Sequence, residues 1–293
     1  MSVGDRTLVL SSLDKVLYPA TGTTKAEVLA YLAAVSPALL AQLADRPVTR
    51  VRWPHGTADH SFFEKNAPAG TPAWIPTVTL DSPGSRRGER VRYPLVRELA
   101  ALTWLANLSA LELHVPQWRV DAEGRELPSD RLVVDLDPGA PAGLTECAQV
   151  ALLARDELAD AGFGPVVPVT SGSKGLQLYA GLPADHGGDE DFTRASAQAI
   201  AQRLAGAHSR LVVASMTKSQ RRGRVLFDWS QNTRAKTTIC PYSLRGKGQA
   251  PFVAAPRDWR EIEQGAVSGS LRQLTPDEVV ARLADGDPMA LLT

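Results

Sequence analysis

Cysteine is scarce in this chain of 293 residues. Only Cys147 and Cys240 are present, and neither has a second Cys or a His nearby at zinc-ligand spacing. That leaves no disulfide framework and no zinc knuckle, and the expectation is two free thiols in a reducing cytosol. Long apolar runs are also missing: none approaches the roughly 18 residues of a membrane span. The opening MSVGDRTLVL lacks a basic segment followed by an apolar one. These absences predict a soluble, cytoplasmic protein without a membrane partner. No internal repeat or low-complexity segment stands out. Charge of one sign is not in excess either, since 32 basic residues face 32 acidic ones. Many nucleic-acid binders are basic overall, so the sum argues mildly against one; the distribution carries more information.

What is present is enough apolar material, 44%, to build a sizeable core without disulfides. Thr24-Lys25-Ala26-Glu27 fits a capping box, and the apolar spacing from Val28 to Leu43 predicts a helix to about Ala44. Tyr93 to about Leu113 reads as a buried helix, with Leu111-Glu112-Leu113-His114 in a helical pattern. Arg131–Asp137 reads as a strand closed by Pro138-Gly139. A helix is expected from Thr145 to about Ala161. Paired strands follow at Val166–Thr170 and Leu176–Tyr179, then a helix at about Phe192–Leu204. Two further strands at Arg210–Ala214 and Val225–Trp229 and a last helix opened by Thr275-Pro276 complete the reading. Interleaved helices and strands predict an α/β or α+β fold with a mixed sheet. The expected layout is an N-terminal lobe over about 1–125 sharing a cleft with a core over 126–260, closed by helices over 261–293.

Asp135 and Asp137 are two apart on the expected strand, so both carboxylates project from one face. Two close acids repel unless a cation binds between them, and hard Mg²⁺ or Mn²⁺ suits carboxylate oxygens. Asp228, in Leu226-Phe227-Asp228-Trp229, is a candidate third ligand. It is the only acid between Lys218 and Lys247, a stretch holding Lys218, Arg221, Arg222, Arg224, Arg234, Lys236, Arg245 and Lys247. A solvated basic loop would have the same composition, and a lone D-x-D is more often a cap than a metal site. Ser171-Gly172-Ser173-Lys174-Gly175 is a glycine-rich turn whose backbone N–H groups can cradle phosphate, though a plain hairpin turn is the commoner reading and the Walker A spacing is absent. Arg245 can grip a triphosphate or form a surface salt bridge. Phe62 and Phe63 beside Lys65 can stack nucleobases or pack in a core. Lys15 and Lys25 flank a Tyr-Pro turn and can share one phosphate. His114 alone would be read as structural.

Taken together, LDKVLYPATGTTK, SFFEK, LELHVPQW, VVDLDPG, TSGSKGL, SMTKSQRRGRVLFDWSQN and PYSLR resemble, in order over nearly all of residues 10–260, the polymerase domain of bacterial ligase D. That domain is a branch of the archaeo-eukaryotic primase superfamily used in non-homologous end joining. The resemblance implies a primase-like core in which Asp135, Asp137 and Asp228 hold two divalent ions, Mn²⁺ or Mg²⁺. It implies that Ser171, Ser173, Lys174 and Arg245 bind the triphosphate of a nucleoside triphosphate, that His114 lines the nucleotide site and that Phe63, with Phe62, packs on bases. Lys15 and Lys25 would grasp the 5′-phosphate of a downstream strand, while Arg221, Asn232 and Lys236, with Lys65, would serve the DNA. The implied activity is extension of primer 3′ ends at gaps and breaks, favouring ribonucleotides. The implied partners are gapped or broken DNA, Ku and a DNA ligase, for a nucleoid-associated protein that is a monomer or an end-bridging dimer on DNA. No K-x-D-G ligase motif appears, so sealing is expected from elsewhere.

One position departs. The family usually has His after SGSKGL, and this chain has Gln177, which can donate a hydrogen bond but cannot become cationic. Weaker triphosphate binding or a shifted pH optimum is expected, rather than lost activity. Two other readings stand beside the polymerase. A D-x-D phosphohydrolase would have no use for Lys15, Lys25 or the aromatic pair. A non-catalytic module binding DNA ends through the 5′-phosphate would have no need of three acids.

Overall fold

A computed structural model of the chain describes residues 1–81, 90–184, 191–248 and 250–292. Its elements are mixed helix and strand, and its residues group into two units. The first comprises Met1–Leu127, Thr237–Ala254 and Leu274–Asp287; the second comprises Pro128–Lys236, Ala255–Gln273 and Pro288–Thr293. Among the described residues no single helix is long and apolar enough to cross a membrane. Both cysteines are buried, and neither forms a disulfide.

In the first unit the expected helix to Ala44 is two helices, Lys25–Ala34 and Ser36–Leu43, bent by 77° at the break. Pro37 is the cause: its ring has no N–H to donate and crowds the carbonyl four residues back. The capping box forms as expected, with the Glu27 carboxylate accepting from Thr24 N at 2.7 Å. The stretch Tyr93–Leu113 also differs from its reading. Only Leu99–Asn107 is helical, and Ala110–Val115 is a strand. Ser109 turns the chain with φ at 62°. A run buried all round carries no period that separates helix from strand, which is why the sequence pattern misled.

That strand is the second of an antiparallel sheet ordered Thr238–Ile239, Ala110–Val115, Thr49–Arg52, Phe62–Glu64. Val51 lies opposite both Phe63 and Glu112, and Thr49 lies opposite His114. Directly opposed residues share a face and so do residues two apart, which puts Phe63, Glu112 and His114 on one face. Phe62 and Glu64 are on the other, where Glu64 pairs with Arg50 at 2.9 Å and Arg52 at 3.0 Å.

The second unit is built on a six-stranded sheet ordered Val212–Val213, Val225–Asp228, Arg131–Pro138, Leu176–Gly181, Val166–Ser171, Ala254–Pro256. Leu132, Val134 and Leu136 alternate onto the buried face. There they pack with Ala148 and Ala151 of the helix Leu144–Asp160, Ala197 and Ile200 of Phe192–Ala207, and Ile262 of Trp259–Ser268. Alternation therefore sends Val133, Asp135 and Asp137 to the opposite face. The apolar side anchors the strand, and the acids are what it carries.

Candidate active site

The register of the large sheet aligns the acids. Asp135 on Arg131–Pro138 lies directly opposite Asp228 on Val225–Asp228, and on its other side directly opposite Gln177 on Leu176–Gly181. Gln177, Asp135 and Asp228 thus form one row, and Asp137 lies two residues along on the same face. Like charges directly opposite each other across a strand pair destabilise a sheet, so a fold that keeps this pair has a use for it. An all-oxygen donor set on one face suits a hard divalent ion, and on that chemistry the residues fit one.

Each acid also has protein partners. Asp137 is held by Lys174 Nζ at 3.0 Å and Arg221 NH1 at 3.5 Å. Asp228 caps the short helix Trp229–Asn232, accepting from Ser230 N at 2.9 Å, Ser230 Oγ at 2.6 Å and Gln231 Nε2 at 2.8 Å. Among the described residues no three His, Cys, Asp or Glu side chains gather as a ready ligand group. Behind the strand, burial and then the charges of Asp135 and Asp137 push the Cys147 thiol far up, so Cys147 is an inert packing residue.

Two glycines set what surrounds the acids. A Cβ on Gly139 would overlap the carbonyl of Arg221, and one on Gly175 would overlap the carbonyl of Leu136. The first contact is locked by Gly139 N donating to Arg224 O at 2.9 Å and Gly223 N donating to Gly139 O at 2.9 Å. It brings Arg221 to Asp137. The second presses the Ser171–Gly175 turn onto the acid strand and brings Lys174 to the same carboxylate. Several N–H groups of the turn are engaged within the protein. Gly172 N donates to Gln273 Oε1 at 2.7 Å, and Ser173 N and Gly175 N both donate to Ser171 Oγ at 3.3 and 3.2 Å. With those N–H groups engaged, the turn still offers the Ser171 and Ser173 hydroxyls and the exposed Lys174 ammonium to a phosphate.

Gln177 is buried, and its Oε1 accepts from the Tyr179 hydroxyl at 3.0 Å. Tyr179 in turn lies under the Arg131 guanidinium, 4.8 Å from the ring centroid. With Oε1 accepting from that hydroxyl, the amide NH₂ is the donor that remains. The expected outcome of Gln177→His is a lower Michaelis constant for nucleotide that also becomes dependent on pH near neutrality. An unchanged constant in single-nucleotide extension between pH 6 and 8 would remove Gln177 as the reason for any weak triphosphate binding.

Asn232 is consumed by the fold. Its Oδ1 accepts from Val133 N at 2.8 Å, and its Nδ2 donates to Val133 O at 2.7 Å and Trp229 O at 3.1 Å. The carboxamide acts as a short strand partner for the acid strand. Lys236 is exposed in a turn after it.

Within the first unit, Phe63 and Phe62 are 59% and 42% exposed, so both are free to meet a base; Lys65 beside them is half-buried. His114 and Arg245 meet at Glu112, a residue the sequence reading did not single out. Glu112 Oε2 is 2.8 Å from His114 Nε2 and 3.5 Å from Arg245 NH1, and Oε1 accepts from Gly246 N at 3.0 Å. Burial raises the Glu112 carboxyl, but the bonds and charges of His114 and Arg245 and the Gly246 N–H outweigh it and hold the group below the usual glutamate value. The available signal was an acid two residues from a histidine, which share a face only on a strand.

Lys15 and Lys25 form a separate pair in the same unit. Lys25 is 3% exposed; its ammonium donates to Ser11 O at 2.6 Å, Asn107 O at 2.8 Å and Asn107 Oδ1 at 3.0 Å. Lys15 is exposed and donates to Pro54 O at 3.0 Å. Burial, then the Lys15 charge, hold Lys25 below the usual lysine range. Among the described residues neither lysine has a carboxylate partner.

Comparison with known proteins places these features. The family model described as "LigD, primase-polymerase domain" matches residues 24–289. The multifunctional non-homologous end joining DNA repair protein LigD of Mycobacterium tuberculosis is 46% identical over 292 residues, 98% of this chain and 37% of that protein. The bifunctional LigD of Bacillus subtilis is 33% identical over 276 residues, 94% of this chain and 42% of that protein. The chain therefore spans well under half the length of these relatives. The solved polymerase domain from Mycobacterium tuberculosis ligase D, in complex with DNA, superposes with a TM-score of 0.88 at 44% identity. It covers 98% of this chain and 99% of that one. Acids in one sheet row, a glycine-built turn beside them and a match along almost the whole chain have one reading: this chain belongs to the LigD primase-polymerase domain family.

Proposed function

We propose that the chain extends primer 3′ ends at DNA gaps and double-strand breaks during end joining, using nucleoside triphosphates and favouring ribonucleotides. The observation that carries this reading is the row of Asp135 opposite Asp228 with Asp137 on the same face, flanked by Lys174 and Arg221. Two divalent ions held by those carboxylates would activate the primer hydroxyl and offset the charge of the triphosphate and departing pyrophosphate. The chain's own residues do the rest. Lys174, Arg221, the Ser171 and Ser173 hydroxyls and Gln177 are the donors proposed for phosphate oxygens. Arg245 and His114 are proposed nucleotide contacts, and Phe63 and Phe62 offer stacking faces for bases. Ku and a ligase would supply end capture and sealing in the nucleoid.

The test is primer extension on a gapped duplex bearing a downstream 5′-phosphate, with ribo- and deoxyribonucleotides supplied separately and Mn²⁺ or Mg²⁺ added. Metal-dependent extension stimulated by the 5′-phosphate supports the reading and ranks the two sugars. Phosphate-dependent binding with no extension under either metal would transfer the proposal to an end-binding module.

We further propose that Lys15 and Lys25 read the 5′-phosphate. A phosphate beside two cations that lack carboxylate partners relieves their mutual repulsion and lifts Lys25 back toward its ordinary value. The roles differ. Lys25 spends its three N–H donors on the fold and contributes field, while Lys15 is exposed and contributes the direct contact. Lys15→Ala is expected to weaken binding of the 5′-phosphorylated gapped duplex by about tenfold, as for one charge-assisted bond. It should reduce the salt slope of binding by about one, leaving the 5′-hydroxyl duplex unaffected. Equal weakening of both duplexes in fluorescence anisotropy would move the phosphate site elsewhere.

A further inference from the structure

We infer that Glu112 is a positioning residue for the nucleotide site, fixing the ring tautomer of His114 and the guanidinium of Arg245 so that both meet the triphosphate substrate pre-set. The inference rests on the proposed polymerase reading for its substrate, but the local geometry that carries it does not. Glu112 has a side chain only 2% exposed on a strand of apolar neighbours. A carboxylate there is costly unless its lone pairs are used. They are: Oε2 takes His114 Nε2 and Arg245 NH1, and Oε1 takes the Gly246 amide. The buried Tyr18 hydroxyl also feels its charge: burial, and then the Glu112 carboxylate, oppose ionisation of the phenol. Tyr18 donates to the Arg245 carbonyl at 3.0 Å, so it holds the backbone of the residue whose side chain Glu112 holds.

An ionised carboxylate can only accept. The nitrogen of His114 bonded to it therefore carries the hydrogen, which leaves Nδ1 as the lone-pair atom of the neutral ring. Arg245 is aimed from two directions, at its carbonyl and at its guanidinium. Glu112 touches neither substrate nor metal in this scheme; it acts through its two neighbours. Carboxylates that orient a functional histidine in this way are a general device for holding one tautomer.

Glu112→Gln tests this with little change in volume. A carboxamide has one acceptor oxygen where the carboxylate has two, so it must release either the Gly246 amide or the His114–Arg245 arm. It also removes the charge that opposes Arg245. The expected result is a rise of about tenfold in the Michaelis constant for ATP, the scale of one lost charge-assisted bond, with kcat changed by less than about twofold. Binding of the 5′-phosphorylated gapped duplex should be unchanged, which also certifies the fold. Glu112→Asp keeps both oxygens and should fall between wild type and Glu112→Gln. The direct readout is the ¹⁵N spectrum of the His114 ring. Wild type should show the Nε2–H tautomer, and Glu112→Gln should show exchange between tautomers. A His114 spectrum unchanged in Glu112→Gln overturns the inference, whatever the kinetics. A tautomer shift in a protein whose wild type extends no primer would uphold the positioning and defeat the polymerase reading instead. A rise in the constant accompanied by weaker duplex binding would mark Glu112 as structural and overturn it as well.

Discussion

Asp137→Ala and Asp228→Ala are each expected to abolish nucleotide addition, by a factor on the order of a thousand or more, while binding of a 5′-phosphorylated gapped duplex stays within about twofold. A metal site contributes several kcal/mol to a phosphoryl transfer, and each 1.36 kcal/mol is about tenfold in rate. The two variants differ in their side effects. Asp137→Ala frees Lys174 and Arg221, which pair with it at 3.0 and 3.5 Å, so nucleotide binding without turnover can persist. Asp228→Ala also removes the cap on Trp229–Asn232, and loss of a capping acid costs about 1 kcal/mol on its own. Asp228→Asn separates the two roles, because the amide oxygen can still accept from Ser230 while one of the three carboxylates is gone. It removes one of two facing like charges, so its thermal stability without metal should be no lower than that of wild type. Calorimetry with and without Mn²⁺ reads this directly: wild type should gain stability with the ion and Asp228→Asn should gain less. If either alanine variant lost activity and duplex binding together, the acids would be structural and the proposed chemistry would fall.

Gly139→Ala is expected to be the most damaging alanine substitution among the described glycines. The added Cβ would meet the Arg221 carbonyl, which is backbone and cannot rotate aside. The turn is tied to the same loop by the Gly139–Arg224 and Gly223–Gly139 hydrogen bonds, so the loop must move as a body. Overpacking of this kind costs about 1–3 kcal/mol. The larger loss should be in turnover, since Arg221 would leave Asp137 and misplacement by about 1 Å is worth on the order of a hundredfold. Chemical denaturation and single-turnover extension together check both halves. An alanine variant with normal turnover would show that the approach of Arg221 to Asp137 is incidental. Gly206, in the helix Phe192–Ala207 with open space beside its α-carbon, is the control position: alanine there should be neutral or mildly stabilising.

Much of this was written locally in the chain. The alternation in Arg131-Leu-Val-Val-Asp-Leu-Asp is enough to place Asp135 and Asp137 on the face opposite the core, because the pleat has period two whatever the sheet around it. The capping box at Thr24 is likewise a four-residue matter. The motif order from Lys15 to Arg245 carried the family, since a resemblance spread over most of a chain is hard to produce by chance. The stretch Tyr93–Leu113 was not legible, because a segment apolar on every side has no face to read; the error hid Glu112, which shares a face with His114 only on a strand.

Tertiary structure alone decided the rest, and the reason is distance along the chain. That Asp228 stands opposite Asp135, and Gln177 on its other flank, depends on strand register between segments roughly 40 to 90 residues apart, which is set by core packing and turn lengths rather than by any local pattern. Whether a polar side chain is spare or spent is equally non-local. Asn232 looks like a DNA contact in its motif, yet its carboxamide is consumed by Val133; the N–H groups of Gly172, Ser173 and Gly175 look open, yet Gln273 and Ser171 take them. The sequence determined which chemical groups this protein owns and which faces they leave from; only the fold decided which of them remain free to act.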